Sequence, residues 1–289
     1  MRWAVFRNQE PAVNKPTTNE YYRPFLKWAG GKYAVLGQIL NHLPKGTRLI
    51  EPFVGGGSVF LNAGAYESYV LADINNDLIN LYQVASTKHA KLIDKAQRFF
   101  EKNNNRGDFL DVRTKFNAIK YTPLERGAAF LYLNRHCFNG LIRYNRSGAF
   151  NVSFGSYKRP YFPRDEIEHF STIASKCKFA HAHYTDTIRL AGAGDVVFCD
   201  PPYEPLPETE GFTNYAAGGF TFEDQCTLAN ELVHAHQRGA RIVITNSAAP
   251  KIRELYESMN FTIHTLNARR SMSCKGNTRG AISDVIAVL

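Results

Sequence analysis

Asp200-Pro201-Pro202-Tyr203 stands directly after the apolar run Val196–Cys199. The run reads as a buried strand, so the tetrapeptide lies at its carboxyl end, the edge where open α/β sheets place ligands. Two prolines stiffen the turn and remove two backbone N–H donors, leaving carbonyls as acceptors. Asp200 and the Pro201 carbonyl form an acceptor pair suited to an –NH2 group. Pro202 keeps the turn rigid, and Tyr203 offers a face on which a planar ring can stack. A proline turn with a capping aspartate uses the same letters, but four such residues after a strand favour the chemical reading.

A second constellation runs Glu51-Pro52-Phe53-Val54-Gly55-Gly56-Gly57-Ser58. Glycines after a strand admit positive φ and let a ligand approach the backbone. Asp73 ends the next strand, 18 residues beyond Gly55, where a carboxylate can accept from both ribose hydroxyls of a nucleoside cofactor. The dinucleotide fingerprint GxGxxG is absent, because Phe60 occupies its third glycine position, and GxxxxGK[ST] is absent too. A tight strand–helix turn would use these glycines equally. The third constellation is Phe25-Leu26-Lys27-Trp28-Ala29-Gly30-Gly31-Lys32, where Trp28 could cover an adenine ring or fill the core.

These residues need elements to hold them. Tyr33–Leu43 carries Leu36, Ile39, Leu40 and Leu43 at helical spacing. Strands are expected at 47–51 and 68–73, with residues 54–64 running from the glycine turn into a helix between them, a βαβ unit. The alternation then stops: residues 76–137 read as mainly helical, for example Asn76–Ser86 and Leu124–Cys137, followed by a Gly-, Asn-, Arg- and aromatic-rich hairpin or set of ordered loops over 138–162. It resumes with a strand at 195–200, a helix at Phe222–Arg238, a strand at 241–247, a helix at Pro250–Met259 and strands near 261–267 and 282–288.

Charge breaks where the pattern breaks. The 289 residues carry a net +9, and residues 75–163 hold 15 Lys/Arg against 6 Asp/Glu, so this one segment contains the whole excess. No acidic residue lies between Arg126 and Arg164. A polyanion is the natural partner. The reading is therefore an α/β domain formed by residues 23–74 and 164–289, interrupted by a basic insert at 75–163 and preceded by a polar extension at 1–22. Hydrophobic residues at 44% and charged residues at 21% exclude a mainly disordered chain. No window approaches the ~20 apolar residues of a membrane span, and no secretory signal is read. Five scattered cysteines (Cys137, Cys177, Cys199, Cys226, Cys274) form no CxxC pair, so no disulfide framework and no metal site is expected, and a cytoplasmic protein is.

In order along the chain, FLKWAGGK, EPFVGGGSVF with LADIN, LNRHCFNGLIRYN with FNVSFGSYKRPYF, DPPY and RRSMSCKGNTR resemble the Dam-type DNA adenine-N6 methyltransferases over residues 25–280. The resemblance implies a Rossmann-like methyltransferase sheet with helices on both faces and a mainly helical target-recognition insert carrying a hairpin. It implies S-adenosylmethionine against Trp28, Lys32, Phe53, Gly55, Gly57 and Asp73, with Asp200 close by. The substrate would be double-stranded DNA with GATC as the site, and the target adenine would be flipped out against Tyr203. On the DNA side, Phe138 would insert into the base stack beside Asn139. Leu141 and Arg143 would touch base edges, Lys27 would make a further base contact assisted by Tyr157, and Arg135 and Asn145 are counted with them. Arg146, Lys158 and Arg159 add charge for phosphates. Ser153 and Ser156 depart from the family's usual proline and basic residue, which puts discrimination at the middle thymine in doubt. Arg269, Arg270, Lys275 and Arg279 read as a phosphate clamp or a solvated turn, and Glu204–Tyr215 as a lid or a surface loop.

Other readings differ in testable ways. The same fold could act on RNA or on cytosine N4, although Asp200 and the insert favour adenine in DNA. A catalytically silent DNA-binding protein predicts damage at Asp200, Tyr203 or Asp73, and all three are intact. A nicotinamide dehydrogenase lacks support from the glycine turn. One flipped base needs one site, so a monomer is expected.

Overall fold

A computed structural model describes residues 21–64, 66–102, 104–118, 121–203, 220–266 and 284–289. The expected lid, the second basic loop, Cys274 and nearly all of the N-terminal extension lie outside the described residues.

The first described elements are a 3-10 turn, Lys32–Val35, and a short helix α1, Leu36–His42, where the periodicity predicts one continuous helix. Strands β1 (Arg48–Glu51) and β2 (Ser68–Asp73) follow, and the described residues between them form a series of turns where a helix is expected, because the three glycines and the packing of Val59 and Phe60 into the core hold this connection in tight turns. Helices α2 (Asn76–Lys102, kinked at Lys88), α3 (Arg106–Asn117) and α4 (Pro123–His136) come next. Then come α5 (Arg164–Ile173), β3 (Cys177–His181), α6 (Tyr184–Ile188), β4 (Asp195–Cys199), α7 (Phe222–Gln237), β5 (Arg241–Ser247), α8 (Pro250–Ser258), β6 (Thr262–Leu266) and β7 (Asp284–Val288). Two helix starts are dictated locally. Thr122 with Glu125 and Thr221 with Asp224 form capping boxes, which occupy amide donors that the first turn leaves open.

The seven strands lie in the order β3-β2-β1-β4-β5-β7-β6. The five from β3 to β5 are parallel, and β7 runs antiparallel between β5 and β6. This is the Rossmann-like sheet expected. Its strands are apolar on both faces, as a doubly covered parallel sheet requires. Leu49, Leu71, Val196 and Phe198 face one hydrophobic cluster, which includes residues of α1, α2 and α5. Their neighbours Ile50, Val70, Val197 and Cys199 face the other, with residues of α6, α7 and α8.

The charge boundary is not a packing boundary. Phe109, Phe116, Phe130 and Tyr132, from α3 and α4, belong to the same cluster as Leu49 and Leu71. Helix α2 also bonds to the sheet, with Gln83 Nε2 donating to Phe179 O of β3 at 3.1 Å. Residues 75–163 are thus basic outside while sharing the sheet's core inside. The hairpin expected in 138–162 is held by two isolated antiparallel bridges, Cys137 to Phe154 and Tyr144 to Phe150. A continuous ladder does not form there because side chains take the backbone's place. Asn117 bonds both the N–H and the C=O of Phe150, at 2.8 and 3.0 Å. No described helix is long and apolar enough to cross a membrane.

Candidate active site

Strand order reverses at β1, with β2 on one side and β4 on the other. Such a switch point opens a crevice at the carboxyl ends of the strands. The glycine turn after β1 and the tetrapeptide after β4 therefore meet there, although about 150 residues separate them in the chain.

Asp200 follows directly from β4. Lys32 Nζ forms an ion pair with its Oδ1 at 2.7 Å, and Thr245 Oγ1 of β5 donates to the same oxygen at 2.8 Å. Burial pushes the carboxyl's pKa up, against Lys32 and Thr245, which pull it down. Lys32 is itself buried, donates to Gly30 O at 2.7 Å and sits 4.5 Å from the centre of the Tyr203 ring. Pro201 is buried and Pro202 exposed. The Pro202 carbonyl accepts from Gln225 Nε2 of α7 at 2.9 Å, and Gln225 Oε1 in turn accepts from Asn246 Nδ2 of β5 at 3.0 Å.

On the glycine side, Asp73 Oδ2 accepts from the Gly55 amide at 3.1 Å and its Oδ1 from the Asn75 amide at 2.9 Å. Burial raises the Asp73 carboxyl against these bonds. Gly55 and Gly57 have φ of +47° and +80°, and a Cβ on Gly55 would come within 2.8 Å of Trp28 Nε1. Trp28 is thus packed onto the turn and half-buried. Phe53 stacks on Tyr184 at 5.3 Å and meets Phe220 edge-on at 5.8 Å. Glu51, at the end of β1, is 2% exposed, and its Oε1 has no partner among the described residues. Burial holds its carboxyl well above the usual range, with the Asp200 charge adding to the effect.

The recognition candidates divide. Phe138 and Leu141 are large apolar side chains exposed at 52% and 38%. Asn139, with φ +53°, donates its amide to Tyr157 Oη at 3.0 Å, and the same Tyr157 ring lies 4.1 Å from Lys27 Nζ. Burial and the Arg135 charge lower the Lys27 pKa. Asn134 clamps this corner, accepting from Lys27 N and donating to Lys27 O and Gly140 O. Arg143 is exposed, with Nε on Asn151 Oδ1 at 2.8 Å.

Two of the expected DNA-contacting residues have partners within the protein. Arg135 is 7% exposed, and its Nε and Nη2 both donate to Phe25 O, so it ties α4 to the segment before Lys27 rather than facing a phosphate. Asn145 Oδ1 accepts from Ser147 N, Ser147 Oγ and Ala149 N, which commits its oxygen to building the 145–149 turn. Sequence reasoning gave no role to Glu51, although it opens the glycine-turn constellation, and did not single out Thr245, Gln225, Asn246 or the 68%-exposed Ile74 beside Asp73. A signal existed for two of them: Thr245-Asn246 is a polar pair at the end of an apolar strand. Among the described residues no His/Cys/Asp/Glu group could hold a metal ion.

Similarities to known proteins agree with this layout. A family model for D12 class N6 adenine-specific DNA methyltransferases matches residues 28–272. A DNA N-6-adenine-methyltransferase of Escherichia phage P1 is 51% identical over the whole chain, which spans 40% of that protein's length. DNA adenine methylases of Vibrio cholerae O395 and Escherichia coli K12 are 45% and 43% identical, each over 92% of this chain and 95% of the relative. With Asp200 and the glycine turn converging at one sheet edge, and a family match spanning most of its length, the chain belongs to the D12 class of N6 adenine-specific DNA methyltransferases.

Proposed function

We propose that this protein transfers a methyl group from S-adenosylmethionine to N6 of an adenine swung out of a DNA duplex, with GATC as the preferred site. The observation that carries the reading is the meeting of Asp200 with the Glu51–Gly57 turn at the sheet's switch point. The residues fit such a cofactor. The unpartnered, buried Glu51 Oε1 suits a cationic group, Asp73 suits a ribose, and Trp28 and Ile74 offer apolar surface for a ring. Lys32, Phe53, Gly55 and Gly57 complete that wall. When bound, S-adenosylmethionine supplies a methyl group activated by its sulfonium charge.

The chain's own residues do the rest. Adenine's exocyclic nitrogen is a weak nucleophile because its lone pair is drawn into the ring. Asp200 and the Pro201 carbonyl accept hydrogen bonds from its two N–H groups and so localise that lone pair, a positional and electrostatic contribution. Tyr203 stacks the extruded base, and Pro202 holds the turn. The proton released after transfer passes to Asp200, whose burial favours the protonated form. Phe138 and Asn139 fill the gap left in the duplex, Leu141 and Arg143 read base edges, and Lys27 with Tyr157 reads the edge of the site. Arg146, Lys158 and Arg159, all exposed, bind phosphates. Asn145 shapes the reading turn, and Arg135 supports Lys27 from behind. The enzyme acts as a monomer, in the compartment that holds DNA.

The test is methyl transfer from labelled S-adenosylmethionine to a GATC duplex, to single-base variants of it and to RNA, with Asp200→Ala as control. Label in adenine of the GATC duplex alone, lost in the variant, bears the proposal out. Spread over variants at the thymine points to Ser153, which is exposed. Label only in RNA sinks the DNA reading.

A further inference from the structure

The catalytic turn is gripped from the neighbouring strand at both of its ends. Thr245 and Asn246 are consecutive on β5, so their side chains leave opposite faces of the sheet. Thr245 Oγ1 reaches Asp200 Oδ1 at 2.8 Å on one side. On the other, Asn246 Nδ2 reaches Gln225 Oε1 at 3.0 Å, and Gln225 Nε2 reaches Pro202 O at 2.9 Å. Asn246 Nδ2 also bonds Tyr256 Oη at 3.0 Å, and its Oδ1 accepts from Ser247 N at 2.8 Å. Thr245, Asn246, Gln225 and Tyr256 are all buried at 1% exposure or less. Polar groups so deep are retained at a cost unless every bond is made, and a completed network fixes one geometry.

We propose that Thr245 and the Asn246–Gln225 pair are positioning residues for methyl transfer, locking the Asp200–Tyr203 turn by its two ends. The proposal rests on the methyl-transfer reading above. Among the described residues, both donors that reach the Asp200 carboxylate, Lys32 and Thr245, meet Oδ1. Oδ2 is therefore the oxygen that accepts the adenine amino proton. Thr245 sets which oxygen is presented, while Gln225 fixes the plane of the turn through Pro202, one residue beyond the carbonyl that accepts the second proton. The charged and titratable groups facing Asp200 are Lys32, Glu51 from β1, Asp284 from β7 and Cys199 beside it. Of these only Lys32 favours the ionised carboxylate, and the neutral Thr245 hydroxyl adds to its effect.

The experiment compares wild type with Thr245→Val, Thr245→Ser and Gln225→Met, each checked for a wild-type circular dichroism spectrum. Steady-state kinetics on a GATC duplex is one readout. The other is the Asp200 titration in the free protein, followed by NMR on 13C-carboxyl aspartate and assigned with Asp200→Asn. A hydrogen bond to a charged group is worth about a tenfold rate or more. Thr245→Val should therefore lower kcat about tenfold with both KM values nearly unchanged, and raise the Asp200 pKa. Thr245→Ser should restore both, and Gln225→Met should lower kcat without moving that pKa. Wild-type kcat with an unmoved titration in Thr245→Val overturns the proposal, as does Thr245→Ser behaving like valine. Should wild type methylate no DNA, the functional reading falls, and the NMR readout still decides whether Thr245 holds Asp200.

Discussion

At the scale of single residues, burial separates side chains of the same type into different jobs. Arg135 and Arg143 both lie in the basic segment, yet one guanidinium is bonded to Phe25 O inside and the other is exposed. Arg143→Ala should leave stability within about 0.5 kcal/mol and weaken discrimination at one base pair by about 1–3 kcal/mol. Arg135→Ala should cost about 1–3 kcal/mol of stability by orphaning a buried carbonyl. Urea unfolding and methylation of single-base duplex variants distinguish the two. Glu51 is a second case. Its raised pKa means that the folded state disfavours the ionised carboxylate, so Glu51→Gln should raise the melting temperature of the cofactor-free protein. The same change should weaken S-adenosylmethionine binding about tenfold, measured by calorimetry, because it removes a charge-assisted bond. A lowered melting temperature would contradict this account. Glu51 was visible in the sequence only as a letter beside the glycine turn; its burial, against which the Phe60 backbone supplies one hydrogen bond, comes from the packed sheet.

At the scale of elements, α4 shows how the basic segment is anchored. Thr122 and Pro123 start it, and its last residues, Asn134, Arg135 and His136, are all buried at 7% exposure or less. His136 packs against Tyr132 and Phe100 with ring centres 3.9 and 4.7 Å away. Burial lowers its pKa from 6.5 to about 4. Below pH 6.5 the unfolded chain gains a proton that the folded chain refuses, so stability should fall steadily between pH 6.5 and about 4, by roughly 3 kcal/mol at most. Urea midpoints at pH 7.5 and 4.5 measure this, and His136→Phe should flatten the slope; an unchanged slope would place the titration elsewhere. The bounds of α4, α7 and α8 were readable, because caps and apolar spacing are local, whereas α5, β3 and α6 were not foreseen. The split of Tyr33–Leu43 into a 3-10 turn and α1, and the continuation of α2 through Lys88, were not, because packing decides them.

At the scale of the whole molecule, two clusters cover the two faces of one sheet, and the larger extends into α3 and α4. Phe170 of α5 touches the rings of Phe25, Phe60, Tyr82 and Phe179. Phe170→Ala should cost about 3–5 kcal/mol. Unfolding should remain a single transition, with sheet and basic segment lost together; two calorimetric peaks would mean the segment folds alone. Its outer surface has a separate consequence. Lys158 and Arg159 are exposed, and removing both should lower the slope of log K against log salt for DNA binding by about 2 if each rests on a phosphate.

Order along the chain determined much of this protein. Most of the strands, the long helices, the Asp200–Tyr203 turn at the end of a buried strand, the glycine turn with Asp73 and the concentration of positive charge all depend on neighbours in sequence, where period and residue type carry the information. Tertiary structure alone decided which distant groups meet: Lys32 on Asp200, Thr245 and Gln225 behind the Asp200–Tyr203 turn, Glu51 Oε1 buried with no partner among the described residues, and Arg135 turned inward. These outcomes follow from strand order and from which polar atoms lose contact with water. Both are properties of the packed sheet, and no window of sequence contains them.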